Sequence, residues 1–167
     1  DGKITWYGHP GALAEQNTTL YDPERPSRIA QWMIARTVDP FGNEVRYEYE
    51  RELTPGPEGH TQLYLKAIKY AHFEHNNSIR HLCSVALEYA SRPDPHSSFR
   101  QGFEVRTTKR CTHLHTQTHP LNADLPAGYT PSPTGTNTVR AKTYRLTYRD
   151  ELGQHAHNKV SQLAQVQ

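Results

Sequence analysis

Residues 32–50 read WMIARTVDPFGNEVRYEYE, and their apolar and polar side chains alternate with a period of two. That period is typical of β-strands that have one buried and one wetted face. The predicted buried side chains are Trp32, Ile34 and Val38 on a first arm and Val45, Tyr47 and Tyr49 on a second. The predicted solvent-facing side chains are Arg36, Arg46, Glu48 and Glu50, which carry both signs of charge. The stretch therefore predicts an antiparallel pair of strands.

A tight turn is predicted between the two arms. Asp39 can hydrogen-bond the backbone that follows it, and Pro40 presets φ at the first corner. Gly42 and Asn43 tolerate the positive φ that a chain reversal requires. We expect these residues to join the two strands as a hairpin.

The same turn pattern occurs a second time. Asp150 and Gly153 repeat the spacing of Asp39 and Gly42, again directly after a predicted strand that ends in aromatic or β-branched residues. A glycine with positive φ at the same place in both turns predicts neighbouring strands of a meander. Two copies do not define a repeat protein.

Six further segments have strand patterns. They cover residues 3–9, 62–73, 79–89, the front half of 102–119, 138–148 and 159–167. Reversals are predicted at 75–77 and in a proline-containing loop at 91–96, and residues 120–137 are predicted to form an exposed proline-rich loop. Residues 1–167 are therefore expected to be one all-β antiparallel meander of long strands.

Composition indicates a thin core. Hydrophobic residues make up 34% of the 167 residues and the mean hydropathy is −0.87, although ten tyrosines partly compensate. A domain of this size normally buries about two-thirds of its unfolded surface. The small apolar content favours a segment of a larger β-structure over an independent domain.

Charge argues against two classes of partner. The 19 basic and 17 acidic residues are spread along the chain and leave a net charge of +2, so no basic block predicts binding to nucleic acid or to an anionic membrane. No apolar run approaches the ~18 residues of a membrane span. Cys83 and Cys111 are expected to be buried free thiols rather than a disulfide.

An ordered set of motifs carries a family resemblance. Pro26-Ser27-Arg28-Ile29 precedes Trp32, and the hairpin then supplies Tyr47 and Tyr49. The later motifs are Arg92-Pro93-Asp94-Pro95, then Phe99-Arg100 with Gly102, Phe103, Glu104, Val105, Arg106 and Thr107, then Arg110-Cys111. Together they span residues 22–148, and this stretch resembles the N-terminal region of the SpvB family, which is shared with the B components of insecticidal toxin complexes.

The resemblance implies a structural role. It implies a segment of an Rhs-like β-shell, a hollow cocoon that encloses and carries a toxic polypeptide. The implied partners are the rest of the shell, a C-type Rhs component with its cargo, and an A-type translocation component. The implied location is extracellular, with assembly in the bacterial cytoplasm as one route. The alternative is a free-standing β-sandwich binding module whose exposed tyrosines and Trp6 contact host carbohydrate or protein.

Histidines are the only candidates for a metal site. His113 and His115 would share a face of a strand, and His119 could reach them if the chain bends at Thr118. This H-x-H spacing is one that zinc sites use, and residues 155–157 offer a second pair. Eleven histidines make such pairs common by chance, and no adjacent carboxylate would orient them. The expectation is that no metal or cofactor is bound.

The composition leaves room for Ser-His-Asp and Cys-His triads, but no specific catalytic motif supports one, and neither cysteine lies in a catalytic-type context. Whole SpvB proteins end in an ADP-ribosyltransferase domain, whose Glu-x-Glu pair has the spacing of Glu48 and Glu50. Here no Ser-Thr-Ser precedes that pair, and a G-x-S-x-G elbow is absent. The chain is therefore predicted not to be an enzyme.

Overall fold

A computed structural model describes residues 2–8, 18–56, 59–75, 77–125, 127–128, 130, 137–154 and 159–167. Within them lie ten strands: β1 Ile4–Tyr7, β2 Thr19–Tyr21, β3 Ile29–Trp32, β4 Ile34–Val38, β5 Glu44–Thr54, β6 His60–His75, β7 Ser78–Ser98, β8 Glu104–Thr118, β9 Val139–Tyr148 and β10 Leu163–Val166. Two short 3₁₀ helices cover Asn122–Asp124 and Arg149–Leu152. No helix of this described part is long and apolar enough to cross a membrane.

Eight of the strands form one large sheet. Their order is β1-β4-β5-β6-β7-β8-β9-β10, and each neighbouring pair is antiparallel. A short parallel contact joins the beginnings of β6 and β8, and β2 and β3 form a separate two-stranded sheet. The predicted all-β antiparallel meander of long strands is confirmed.

The central hairpin differs from its sequence pattern in two respects. Its first arm begins at Ile34 rather than Trp32, because Trp32 ends β3 and pairs with Thr19 in the small sheet. In the observed register Thr37 lies opposite Val45, and Val38 lies opposite Glu44. The face that carries Val45 and Tyr47 therefore continues on the odd-numbered residues of β4, not on Ile34 and Val38. The buried positions also differ from those predicted: Trp32 is exposed, Ala35 and Glu44 are buried, and Ile34 and Val38 are half-buried. A shift of one residue in the pairing exchanges the two faces of an arm.

The turn of this hairpin is closed by Asp39. Its carboxylate accepts the backbone N–H groups of Phe41 and Asn43, each at 2.9 Å, and the Asn43 side-chain amide at 2.8 Å. These bonds lower the pKa of Asp39, with the Asn43 amide as the largest cause. Gly42 has a φ of 85° and donates its N–H to the Asp39 carbonyl at 3.0 Å.

Replacing Gly42 with valine is expected to destabilise the protein by about 1–2 kcal/mol or more, because a β-branched residue is strained at positive φ. No atom lies within 4 Å of the position that a Cβ would take, so the cost comes from the backbone and not from a clash. Thermal or urea denaturation followed by circular dichroism would measure it. Gly42→Asn, which tolerates this backbone conformation, is the control, and an unaltered midpoint in Gly42→Val would contradict the turn geometry.

The second turn has the same glycine geometry in a different setting. Asp150 lies in the 3₁₀ helix Arg149–Leu152, which is followed by Gly153 with a φ of 70°. The Gly153 N–H again donates to the carbonyl of the aspartate three residues earlier, at 3.2 Å. The Asp150 carboxylate does not close the turn; it accepts from the guanidinium of Arg110 at 2.8 Å.

Residues 91–96 do not form the predicted loop. They lie inside β7, which continues to Ser98, and pairing with β8 steps from Ser91–Lys109 to His96–Thr107. The intervening residues therefore form a large bulge opposite a single residue of β8. Prolines cannot donate to a β-ladder, and a bulge accommodates Pro93 and Pro95 without ending the strand.

The core lies where the small sheet covers part of the large one. A side chain of β2, Leu20, packs with Tyr49, Leu63, Phe103 and Val105 of the large sheet and its β7–β8 turn. Around this cluster lie partly buried Ala30, Met33, Tyr47 and Leu65. The core joins the two sheets and is small, as the low apolar content led us to expect. Two sheets of comparable size facing each other, as in a β-sandwich, do not occur among the described residues.

The β8–β9 connection is held at both ends by one amide. The side chain of buried Asn137 donates to the Pro120 carbonyl at 3.2 Å and to the Asn122 side-chain oxygen at 2.8 Å. Much of the expected 120–137 loop, residues 126, 129 and 131–136, lies outside the described part of the chain. In the last predicted strand, 159–167, only Leu163–Val166 has strand structure.

Candidate functional site

One outer edge of the large sheet is β1. It pairs with β4 on one side, and no strand in the described ranges pairs with the other side. Ile4 (58% exposed) and Tyr7 project from it without cover, while Trp6 stacks beneath the Arg36 guanidinium at 4.1 Å. A free edge presents unpaired N–H and C=O groups to any strand that approaches. Beside its unpaired backbone groups, β1 also presents the exposed apolar side chains of Ile4 and Tyr7.

The opposite edge is β10. It pairs with β9 through three residue pairs, and Gln167 exchanges backbone hydrogen bonds with Arg145 at 2.9 and 3.0 Å. All four residues of β10 are exposed, including Leu163 and Val166. Free edges of soluble proteins commonly carry charges or prolines that prevent pairing. Neither β1 nor β10 contains either, so both edges suit pairing with a further strand.

The residues of the β7–β8 turn meet the small sheet. Gly102, with φ 80°, donates its N–H to the Phe99 carbonyl at 2.9 Å, and its own carbonyl accepts from Arg28 at 3.3 Å. A Cβ at Gly102 would lie 2.1 Å from the Arg28 guanidinium, so glycine permits the close approach. Phe103 is buried in the core, with Arg28 5.8 Å above its ring. The motif residues here join the two sheets.

Glu104 and Arg106 continue this region onto β8. The Arg106 Nε–H donates to Glu104 at 2.8 Å, and the Ser97 hydroxyl donates to the same carboxylate. The hydrogen bond from Ser97 is the largest cause that lowers the pKa of Glu104, and the hydrogen bond from Arg106 adds to it. Their geometry fixes the start of β8 against the end of β7.

The remaining motif residues have three different environments. Tyr49 is buried in the core, and Tyr47 is half-buried against it. Trp32 is exposed on β3. Arg92 and Pro93 lie in the bulge of β7. The motifs therefore mark sheet junctions and bulges, and one open cleft is lined by five motif residues, Arg28, Phe99, Gly102, Phe103 and Glu104.

The clefts that are open to solvent include two lined by described residues. One, of about 370 Å³, is lined by residues of the β2–β3, β5–β6 and β7–β8 connections, among them Arg25, Arg28 and Phe99. The other, of about 220 Å³, is lined by Lys69, Ile79, Arg80, His81 and His119.

His113 and His115 share a face of β8, as their spacing predicts. Their rings stack at 5.7 Å with an angle of 8° between the planes. Glu88, from β7, lies 2.9 Å from His115 Nε2 and 3.6 Å from His113 Nδ1. The hydrogen bond from His115 is the main cause that lowers the pKa of Glu88. A carboxylate that the sequence did not place beside this pair therefore comes from the neighbouring strand.

The ring nitrogens of His115 and His119 are occupied by protein groups. His115 Nδ1 contacts the Thr143 hydroxyl at 2.9 Å while its Nε2 contacts Glu88. His119 contacts the Ser84 hydroxyl at 2.8 Å through Nε2 and the Asn137 carbonyl at 3.3 Å through Nδ1. No group of three or more potential ligands able to hold a metal occurs in the described ranges. Residues 155–157, the other H-x-H pair, lie outside them.

We expect no tight zinc binding. After dialysis against buffer without chelator, the protein should retain far less than one equivalent of zinc by atomic emission, because the Thr143 hydroxyl and the Glu88 carboxylate occupy the two ring nitrogens of His115. Stoichiometric zinc that disappears in His113→Ala would contradict this expectation.

His81 is one of two histidines in the described ranges whose pKa is lowered, and His119 is the other. Burial lowers the pKa of His81, and Arg46, Lys69 and His72 add to the effect, while Glu44, 3.9 Å from Nε2, opposes it. Nε2 has no hydrogen-bond partner. The folded protein therefore holds this ring neutral and buried.

The free energy of unfolding should consequently fall as the pH decreases below 6.5, the ordinary value for histidine. Below that pH the unfolded chain binds a proton that folded His81 does not, so the unfolded state gains stability until the lowered native pKa is reached. Urea titrations at pH 7.5, 6.5 and 5.5 would measure the loss. His81→Gln should make the free energy of unfolding less dependent on pH. An identical slope in the variant would show that groups other than His81 cause the dependence.

Glu48, Glu50 and the two cysteines lie in surroundings that are common for structural residues. Glu48 pairs with Lys69 at 2.6 Å, and Glu50 pairs with Lys109 at 2.8 Å, so the Glu-x-Glu pair lies in ordinary ion pairs. Cys83 and Cys111 are half-buried and free, and burial raises the pKa of Cys111.

Sequence reasoning missed two charged networks. Buried Glu44 accepts from Arg46 at 2.7 Å and from Arg36 at 3.4 Å, whereas the sequence pattern treated both arginines as solvent-facing. The second network joins the bulge of β7 to residues before β10. The only sequence signal for it was an aspartate, Asp94, between two prolines.

The open antiparallel meander is the fold of toxin-complex shell domains. The N-terminal domain of effector protein SpvB from Salmonella typhimurium strain LT2 superposes with a TM-score of 0.68 at 18% identity, covering 90% of this chain and 54% of that one. The crystal structure of TcdB2-TccC3-Cdc42 gives a TM-score of 0.67 at 15% identity, covering 99% of this chain and 10% of that one. The Photorhabdus luminescens Tc holotoxin pore gives 0.68 at 16% identity, covering 99% and 9%. The chain thus spans about half of the first structure and about a tenth of the other two.

A family model identifies the family of the chain, whereas the structural matches show only its fold. The model described as SpvB, Salmonella virulence plasmid 65kDa B protein, matches residues 1–86, just over half of the 167 residues. The chain belongs to the SpvB family, and the resemblance drawn from its motifs is confirmed. A comparison with curated proteins finds no match.

Proposed function

We propose that this chain forms part of the wall of a β-strand shell in a bacterial toxin complex, and that the shell encloses and carries a toxic polypeptide. The observation that carries the proposal is the pair of open, uncharged edges, β1 and β10, on one extended sheet. A sheet continued at both edges by strands of the same shell would satisfy those backbone groups. Family membership and the likeness to toxin-complex structures support it.

The proposal includes partners and location. The rest of the shell and a C-type Rhs component would cover the edges and hold the cargo, and an A-type component would receive the assembled shell. The shell would act outside the cell after secretion. The segment itself would have no catalytic role and would contact neither nucleic acid nor membrane. Its mixed-sign charge and its ion-paired carboxylates support that part of the proposal.

Protection of cargo tests the proposal. The complete polypeptide that contains this segment would be coexpressed with a C-type component, and the complex would be treated with protease. Ile4→Lys and Leu163→Lys place a charge on each exposed edge, and Leu82→Lys places the same charge on an exposed position of the internal strand β7. The edge variants should expose the cargo to digestion, because a lysine on an edge strand opposes pairing.

The Leu82→Lys complex should remain resistant. Full protection in both edge variants would overturn the proposed wall. A folded, monomeric chain that binds host glycans or proteins through its exposed aromatic residues would instead support the binding-module alternative.

A further inference from the structure

The bulge of β7 is bonded to the segment that leads into β10. Asp94 accepts the backbone N–H of Ser161 at 2.8 Å and also accepts the Ser161 hydroxyl. Arg92 donates to both oxygens of the same carboxylate, at 3.1 and 2.8 Å. From β8, Arg110 donates to the Ser161 oxygen at 3.0 Å. We call Arg92, Asp94, Arg110 and Ser161 the β10 latch.

The arginine side chains of the β10 latch are largely buried, and the backbone that carries Asp94 is conformationally restricted. The side chains of Arg92 and Arg110 are each 11% exposed. Pro93 and Pro95 flank Asp94, and their fixed φ values restrict the backbone that carries it. Bonds from Arg92 and Ser161 hold the pKa of Asp94 far below its usual range, so its charge persists in mild acid.

Arg110 extends the latch to the turn after β9. It donates to Asp150 at 2.8 Å and to Glu151 at 3.0 Å, and its guanidinium lies 4.3 Å from the centre of the Tyr148 ring. The Tyr148 hydroxyl donates to the Cys111 carbonyl at 2.8 Å. The connection between β9 and β10 is thus attached to β8 at one end and to the β7 bulge at the other.

Packing contributes little to the position of β10. Its four residues are exposed, and its pairing with β9 is irregular between Leu163 and Gln165. Hydrogen bonds to charged groups are stronger than neutral ones, and the latch supplies several of them just before β10 begins.

We propose that the β10 latch positions the outer edge of the sheet for pairing with the next strand, with Arg92, Asp94 and Ser161 as its positioning residues. The consequence for assembly rests on the proposed shell function. The positioning of β10 by the latch is a property of this chain alone and does not depend on the proposed shell.

Hydrogen exchange followed by mass spectrometry on the full chain tests the latch. Asp94→Asn keeps the shape of the side chain but removes the carboxylate. It should raise the exchange rates of residues 161–167 about tenfold or more, while β6 and β7 away from the bulge keep theirs. Ser161→Ala, a milder change, should produce a smaller increase over the same residues. The increase in the double variant should be smaller than the sum of the two single increases, because both changes remove the bond between the Ser161 hydroxyl and the Asp94 carboxylate.

Asp124→Asn is the matched control, since it removes the same charge from the 3₁₀ helix Asn122–Asp124 and should leave residues 161–167 unaltered. Unchanged exchange at β10 in Asp94→Asn, or an equal rise over all strands, would overturn the latch. If Asp94→Asn does not fold, Ser161→Ala decides by the same criterion. Exchange in this chain and protease resistance of the complex are separate measurements, so failure of the latch and failure of the shell proposal can be distinguished.

Discussion

Replacing Phe103 with alanine is expected to lower the free energy of unfolding by about 3–5 kcal/mol, the usual cost of removing a buried phenylalanine side chain. Phe103 is 9% exposed and belongs to a core of few large side chains. Few neighbours can move to fill the resulting cavity. Since single domains have about 5–15 kcal/mol of stability in total, this one change should remove a large part of it.

Phe99→Ala provides the control for Phe103→Ala, because Phe99 lies in the same turn region and is 65% exposed. That variant should change stability by no more than about 0.5 kcal/mol. Urea denaturation of both variants and the parent protein, followed by circular dichroism, would provide the comparison. Equal losses in the two variants would show that Phe103 does not belong to the core described above.

Leu20→Ala should produce the other large loss, about 2–5 kcal/mol. Leu20 is 2% exposed and is the β2 residue of the core cluster. Its removal weakens the attachment of the small sheet to the large one. The polar contacts that remain there include those of Arg51, which donates to the Thr19 carbonyl and lies 3.9 Å from the centre of the Tyr21 ring.

The loss in Leu20→Ala should have a local signature. Hydrogen exchange should accelerate most in β2 and β3, because the deleted side chain is the fully buried apolar contact of these strands with the core cluster. Leu53→Ala, on a leucine of β5 that is 42% exposed, is the matched control and should be close to neutral. A loss in Leu20→Ala without faster exchange in the small sheet would contradict its proposed attachment role.

Local patterns predicted the strands well because the period of two depends only on neighbouring residues. The hairpin turn at Asp39 and Gly42 is equally local, since its hydrogen bonds span four residues or fewer. The family could also be inferred from sequence, because its motifs occur in a fixed order. One of those motifs includes Gly102 and Phe103, whose importance lies in contacts with distant residues.

Pairing between strands was less predictable. A shift of one residue moves every side chain of an arm to the other face, and nothing in the sequence of β4 fixes its register against β5. The buried position of Glu44, with Arg36 and Arg46 around it, follows from that register. Pro93 and Pro95 suggested a loop because proline cannot donate to a β-ladder. Whether a strand can continue past them depends on a bulge, which β7 has at this place.

The sequence alone determined that this protein is built from long antiparallel strands with a thin core, and that it resembles the SpvB family. Only the tertiary structure decided that the Glu88 carboxylate contacts the two histidines of β8, and that Asp94 reaches Ser161 across 67 positions of sequence. The reason is physical: backbone periodicity and turns arise from interactions between near neighbours, whereas ion pairs and the latch arise from contacts between residues that only the folded chain brings together.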